Sequence, residues 1–224
     1  MANDLTLRAD PTLLATVWNE FTRVTTFFAI ALLISALRHS SEKLRTDAAR
    51  AFRLAVTDPL TGLYNRHYLN EQLERVHPAA ARHRRPYALL ALDLDGFKRI
   101  NDTAGHAAGD AALVAFAQQL KRVVRADDVA VRTGGDEFVV LLPDASVRDA
   151  VALAERLQAL MGAAGGGDLV RAVSAGAVEW TLYSTPAALI AEADRLVYDS
   201  KRYGGGRVTS AAQAERRYPI DARG

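Results

Sequence analysis

The sequence predicts an α/β protein: a mixed central sheet flanked by helices, with an N-terminal helical extension. Three observations carry this. Beyond residue 57 the apolar pattern switches repeatedly between the period of a strand and that of a helix. A Gly-Gly pair at 134–135 joins two short apolar runs, the signature of a tight hairpin. Half of the 224 residues are hydrophobic, enough to bury a full core.

The elements follow in order. VTTFFAIALLISAL (24–37) is uncharged and strongly apolar, and Arg38, Lys43 and Arg45 follow it. A spanning helix needs roughly 20 apolar residues, and Arg23 and Glu20 interrupt this run upstream. It lies far from Met1 without a small-residue cleavage site, which argues against a secretory signal. Two readings stay open: a membrane helix with its basic flank in the cytoplasm, or an amphipathic helix packed on a partner. Residues 38–56 lack Pro and Gly, and Leu37, Leu44, Ala48, Ala51 and Ala55 recur at helical or heptad steps. They predict a helix, either paired with a copy of itself or serving as a solvated connector. TDPLTGLYNR (57–66) ends it with Pro59 and Gly62 and marks the domain boundary. The expected organisation is therefore 1–56 helical, 57–210 the α/β domain and 211–224 tail.

Within that domain, YALLALDLD (87–95) reads as a strand and AALVAFAQQLKRVV (111–124) as a helix. DVAVR and EFVVLLP form the hairpin, 147–161 a helix, 170–180 a strand and 186–202 a last helix. The formal net charge is only +2, which excludes a protein built to neutralise many phosphates, so no nucleic-acid partner is expected. The absence of cysteine excludes disulfides, zinc-thiolate sites and thiol nucleophiles, and a cytoplasmic location fits.

The chemistry concentrates at strand ends. Asp93 and Asp95 close the first strand of the domain, and Asp136 and Glu137 follow the glycine pair. If the strand lies beside the hairpin, Asp93 faces Asp136 and Glu137, a carboxylate cluster that is costly without a cation. Hard oxygen donors favour Mg²⁺ or Mn²⁺. Magnesium completes its shell with phosphates, and DGFKRIND (95–102) offers helix-start amides with Lys98 one turn in. Lys201 and Arg202 add positive charge from the last helix. The residues by themselves predict a metal-dependent enzyme acting on a nucleoside triphosphate.

RTGGDEF, DPLTGLYNR, DLDGFKRIND, GHAAGD and ADRLVYDSKRYGGGR occur in this order over residues 50–210. In this the chain resembles the GGDEF-domain diguanylate cyclases. The resemblance implies a ferredoxin-like palm and condensation of two GTP into cyclic di-GMP with release of two pyrophosphates. It implies two Mg²⁺ or Mn²⁺ ions per site, held by Asp93, the Leu94 main-chain carbonyl, Asp136 and Glu137, with Asp136 also assigned as base. Lys98 stabilises the transferring phosphates, the amides near Phe97 cradle them, and Lys201 reaches them from the last helix. Asn101 and Asp110 read guanine, and Gly135 lets the nucleotide approach the backbone. A carboxylate accepting from guanine N1 and N2 is worth roughly 1 to 3 kcal/mol of discrimination against adenine.

One position departs from the pattern: Gly205 stands where the family places a phosphate-binding arginine, with Arg202 and Arg207 as nearby substitutes. RADD (125–128) fits the family's inhibitory RxxD motif, five residues before Gly134, so Arg125 and Asp128, joined by Arg156, form an expected product site. Since each 3'-hydroxyl must attack the other chain's α-phosphate, the resemblance also implies a two-fold homodimer. The competing expectations are a catalytically silent GTP or cyclic di-GMP binding module, and a membrane-tethered dimerisation protein that leaves the acids without a role. The catalytic domain is expected in the cytoplasm, with attachment to the inner face of the membrane depending on 24–37.

Overall fold

The structure is a computed structural model and describes residues 11–163, 172–181 and 184–211. Two compact units divide it, one up to Arg53 and one from Leu54 onward. The first is a single helix. α1 (Pro11–Val56) runs 46 residues without a break, so the apolar run and the heptad-like stretch are one element. Its described apolar side chains are exposed up to Ala55, with Phe27 73% and Leu32 69% accessible, whereas Val56 is buried. The segment Ala15–Leu44 is long and apolar enough to cross a bilayer, with a mean hydropathy of 1.5.

In the second unit β1 (Tyr64–Asn65) and α2 (Arg66–His83) precede β2 (Tyr87–Leu94), α3 (Phe97–Ala104) and α4 (His106–Val123). Then follow β3 (Val129–Gly134), β4 (Glu137–Pro143), α5 (Val147–Ala163), β5 (Val173–Glu179), α6 (Pro186–Arg202) and β6 (Val208–Ser210). The six strands form one sheet in the order β1-β3-β4-β2-β5-β6. The inner four, β3-β4-β2-β5, are antiparallel, and β1 and β6 add parallel edges. A β-α-β-β-α-β chain order in this arrangement is the ferredoxin-like palm expected above.

Strand alternation divides the core between two faces. Ala88, Leu90 and Leu92 of β2 join Phe138 and Val140 of β4 beneath α4 and α5. Tyr87, Leu89 and Ala91 join Val139 and Leu141 beneath α2 and α6. Both faces are covered, so β2 is buried from Tyr87 to Leu92 and reads as a continuous apolar run.

The sequence reading makes no assignment between 67 and 86, where α2 forms. Only Leu69, Gln72, Leu73 and Ala80 of α2 are buried and Pro78 interrupts the pattern; its start is marked by Asn65, whose side chain accepts from the Tyr68 amide. The helix expected at 111–124 begins earlier, at His106, because its first turns are built of small residues without an apolar period. β1 and β6 are too short to show a period, and part of the strand expected at 170–180 and most of the tail at 211–224 fall outside the described residues.

Candidate active site

The same alternation that sorts the core decides where the acids go. Asp93 stands opposite Glu137 in the β2–β4 register and opposite Ser174 in the β2–β5 register. By parity these residues share the face covered by α6. Gly176, on that face of β5, allows the helix close: a Cβ there would run into the Ala193 carbonyl and the Val197 amide. α6 thus carries Lys201 to the strand end, where its ammonium lies 2.6 Å from Asp93 Oδ1. The two are charge-paired without an aligned hydrogen bond to that oxygen. Burial pushes Asp93 above the ordinary carboxylate range; Lys201 pulls it back, while the charges of Asp136 and Asp95 add to the rise. A cavity of about 220 Å³ opens here, lined among others by Asp93, Thr133, Glu137, Tyr198 and Lys201.

Asp95 has a different role from the one its place beside Asp93 suggests. Its carboxylate accepts from Ser174 Oγ at 2.8 Å and from the Gly206 amide at 2.7 Å. It is a tie between β5 and the loop after α6.

The hairpin turn is braced from outside. Gly134 and Gly135 have φ of 155° and 51°, and a bulge falls between Arg132 and Gly134. Arg132 donates through Nε and Nη2 to the Gly135 carbonyl at 3.0 and 2.8 Å, and through Nη1 to both oxygens of Asp58 at 3.2 Å. Asp58 also accepts from the Thr61 amide and hydroxyl. Burial pushes the Asp58 carboxyl up, but the Thr61 and Arg132 hydrogen bonds outweigh it and hold the group below its ordinary value. The sequence reading takes 57–66 as a turn and a family motif and gives Asp58 no partner; a basic residue four positions before Asp136 was the available signal.

On the opposite face, α3 and α4 assemble the expected base-reading residues. Gly96, at φ 75°, starts α3, and its first residues are Phe97 and Lys98, the latter exposed. Asn101 packs over Gly109, where a Cβ would collide with its Oδ1 and approach the Phe97 ring. Asn101 Oδ1 is buried with no hydrogen-bond partner among the described residues, an acceptor open to a ligand donor. Asp110 is exposed one residue beyond Gly109. The sheet therefore lies between Asn101 and Asp110 on α3 and α4 and the Asp93–Glu137 pair.

The expected three-acid cluster is not closed: among the described residues no three carboxylate or imidazole side chains converge on one point. Asp93 and Glu137 are register partners, whereas Asp136 sits in the turn, near enough for its charge to raise Asp93. Oxygen donors alone, mutual repulsion and an incompletely satisfied Asp93 oxygen fit a hard divalent cation that draws its remaining ligands from water and phosphate.

At the expected product site, Asp128 accepts from the backbone amide of Arg125 at 2.7 Å, closing the turn after α4. Arg156 donates to the Val123 carbonyl at the end of α4. The three residues are thus gathered around one helix terminus, with Arg125 exposed.

The family described as diguanylate cyclase, GGDEF domain, matches residues 55–207. The response regulator PleD of Caulobacter vibrioides is 38% identical over 179 residues, covering 77% of this chain and 39% of PleD. Diguanylate cyclase TpbB of Pseudomonas aeruginosa is 37% identical over 180 residues, covering 78% of this chain and 41% of TpbB. The chain thus spans about two fifths of the length of these curated relatives. Among solved structures, the coiled coil and GGDEF domain of DgcB from Caulobacter crescentus, in complex with c-di-GMP, superposes with a TM-score of 0.72 at 28% identity, over 81% of this chain and 99% of that one. The GGDEF domain of TpbB gives 0.65 at 38% identity over 72% and 97%.

Proposed function

The chain belongs to the GGDEF diguanylate cyclase family, and from that premise we propose that it condenses two GTP into cyclic di-GMP and two pyrophosphates. The observation that carries the reading is the set of paired strands that puts Asp93 against Glu137 beside the signature turn, with Lys201 at the same point. Asn101 Oδ1 and Asp110 accept from the guanine edge, which selects GTP over ATP because adenine, with a lone pair at N1 and no 2-amino group, would leave the Asp110 carboxylate unpaired. Lys98 and the first amides of α3 hold phosphate oxygens. When bound, Mg²⁺ or Mn²⁺ at Asp93, the Leu94 carbonyl, Asp136 and Glu137 supplies charge neutralisation at the α-phosphate and acidifies the attacking hydroxyl. Asp136 takes the 3'-proton and Lys201 shifts from Asp93 toward the phosphates.

Each site holds one GTP, so two chains meet face to face about a two-fold axis. Arg125, Asp128 and Arg156 grip the product's phosphates and guanine edges and limit synthesis; structures similar to this chain were solved in complex with c-di-GMP. The catalytic domain works in the cytoplasm, where GTP is found. α1 inserts in the membrane: its exposed apolar residues Phe27, Phe28, Ile30, Leu32, Leu33 and Ile34 surround the axis rather than forming one seam. The polar residues at its start are paired within the helix, with Thr22, Thr25 and Thr26 donating to carbonyls one turn back and Arg23 paired to Glu20 at 2.9 Å.

The test is incubation of the purified dimer, freed of bound product, with GTP and Mg²⁺. Cyclic di-GMP should accumulate, and Asp136→Asn should abolish it while leaving thermal unfolding unchanged. An inactive parent dimer that still binds GTP or cyclic di-GMP would establish the silent binding module instead.

A further inference from the structure

The loop after α6 holds three successive positive-φ glycines, Gly204 at 103°, Gly205 at 69° and Gly206 at 60°. A side chain at 205 would be strained by that conformation. It would also meet the Asp95 carboxylate, whose oxygens and carbon lie 3.0 to 3.2 Å from where its Cβ would stand. The carboxylate cannot simply step aside, because Ser174 Oγ holds one oxygen and the Gly206 amide the other. The surrounding backbone is equally committed. The Gly204 amide donates to the Lys201 carbonyl and the Gly205 amide to the Ser200 carbonyl. Ser200 Oγ donates to the Arg207 carbonyl at 2.6 Å, and that carbonyl also accepts from the Ala175 amide. Lys201 lies in the last turn of α6, just before this loop, and is held against Asp93.

We propose that Asp95 is a positioning residue for the phosphate end of the site. By gripping the Gly206 amide it fixes the loop and hence Lys201, and its carboxylate fills the space into which a side chain at 205 would extend. Gly205 is then a requirement of this loop rather than a lost phosphate contact. Phosphate recognition rests on Lys98 and Lys201, and an arginine installed at 205 costs the site more than it contributes. This inference rests on the cyclase reading for its kinetic consequence but not for its structural one.

The experiment uses the full chain and four variants: Gly205→Arg, Gly205→Ala, Asp95→Ala and Asp95→Asn. Initial rates with GTP and Mg²⁺ separate KM from kcat, and backbone hydrogen exchange follows the amides of 203–208. Gly205→Arg, Gly205→Ala and Asp95→Ala should each raise KM for GTP about tenfold, with a smaller effect on kcat, and speed exchange in the loop. Asp95→Asn keeps an acceptor for the Gly206 amide and should recover much of the loss. A Gly205→Arg protein with lower KM than the parent would overturn the inference. So would unchanged loop exchange in Asp95→Ala. If the parent turns over no GTP, the cyclase reading fails, and the exchange comparison still decides whether Asp95 holds the loop.

Discussion

Asp58 shows how one residue ties stability to pH. Its folded carboxyl is held below the ordinary 3.8 by Thr61 and Arg132, against the opposing effect of burial. A lowered carboxylate stabilises the fold above the unfolded value, and that contribution is lost as pH falls through the folded value. Asp58→Asn should therefore lower unfolding stability by about 1 to 3 kcal/mol near neutral pH. The gap from the parent should close on acidification below the ordinary value, as denaturant melts across a pH series would reveal; a gap that persisted would mean that charge is not the cause. A second residue-scale case is Gly109. Gly109→Ala drives a methyl into the Asn101 amide and should destabilise by about 1 to 3 kcal/mol while raising KM for GTP. Adding Asn101→Ala makes room, so the double variant should melt close to the Asn101→Ala single; additive losses would contradict the contact. Neither Asp58's partner nor the Asn101–Gly109 contact is readable from spacing, since each joins positions that only folding brings together.

At the scale of elements, the hairpin presents acids to the strand end and α6 brings Lys201 to it. The turn between β3 and β4 is fastened by the Arg132 guanidinium, which serves the Gly135 carbonyl and Asp58 at once. A lysine has the charge but not the fork. Arg132→Lys should lower kcat about tenfold, with KM for GTP little altered, because the acids are displaced more than the base pocket; steady-state rates would show it, and an unchanged kcat would remove Arg132 from the positioning of the turn. α6 depends on Gly176 for its approach to β5, so Gly176→Ala should unfold at lower temperature and weaken the Lys201 contact with Asp93.

For the whole molecule, the proposed condensation of two GTP requires two chains. Specific activity should fall on dilution through the range where sedimentation velocity shows the dimer dissociating, and activity independent of concentration in a demonstrated monomer would refute the paired-site reading. If α1 spans the bilayer, the full chain should remain with the membrane pellet after alkaline carbonate extraction. Release into the supernatant would assign the helix to a protein partner instead.

Sequence by itself determined the existence of the sheet, the hairpin and helices α4, α5 and α6, because strand and helix periods and the Gly-Gly turn are local properties of the chain. It also determined the chemical identity of the acids, whereas the opposition of Asp93 to the hairpin depended on β2 lying beside β4, which the sheet order decided. α2 stayed hidden because few of its residues face the core. What only the tertiary structure decided were the long-range pairings: Lys201 on Asp93, Arg132 on Asp58, and Asp95 on the loop of Gly205 and Gly206. These join residues 108, 74 and 111 positions apart, from 201 − 93, 132 − 58 and 206 − 95. No local periodicity encodes such contacts; they exist because the sheet's alternation and the packing of α6 bring distant side chains to one strand end.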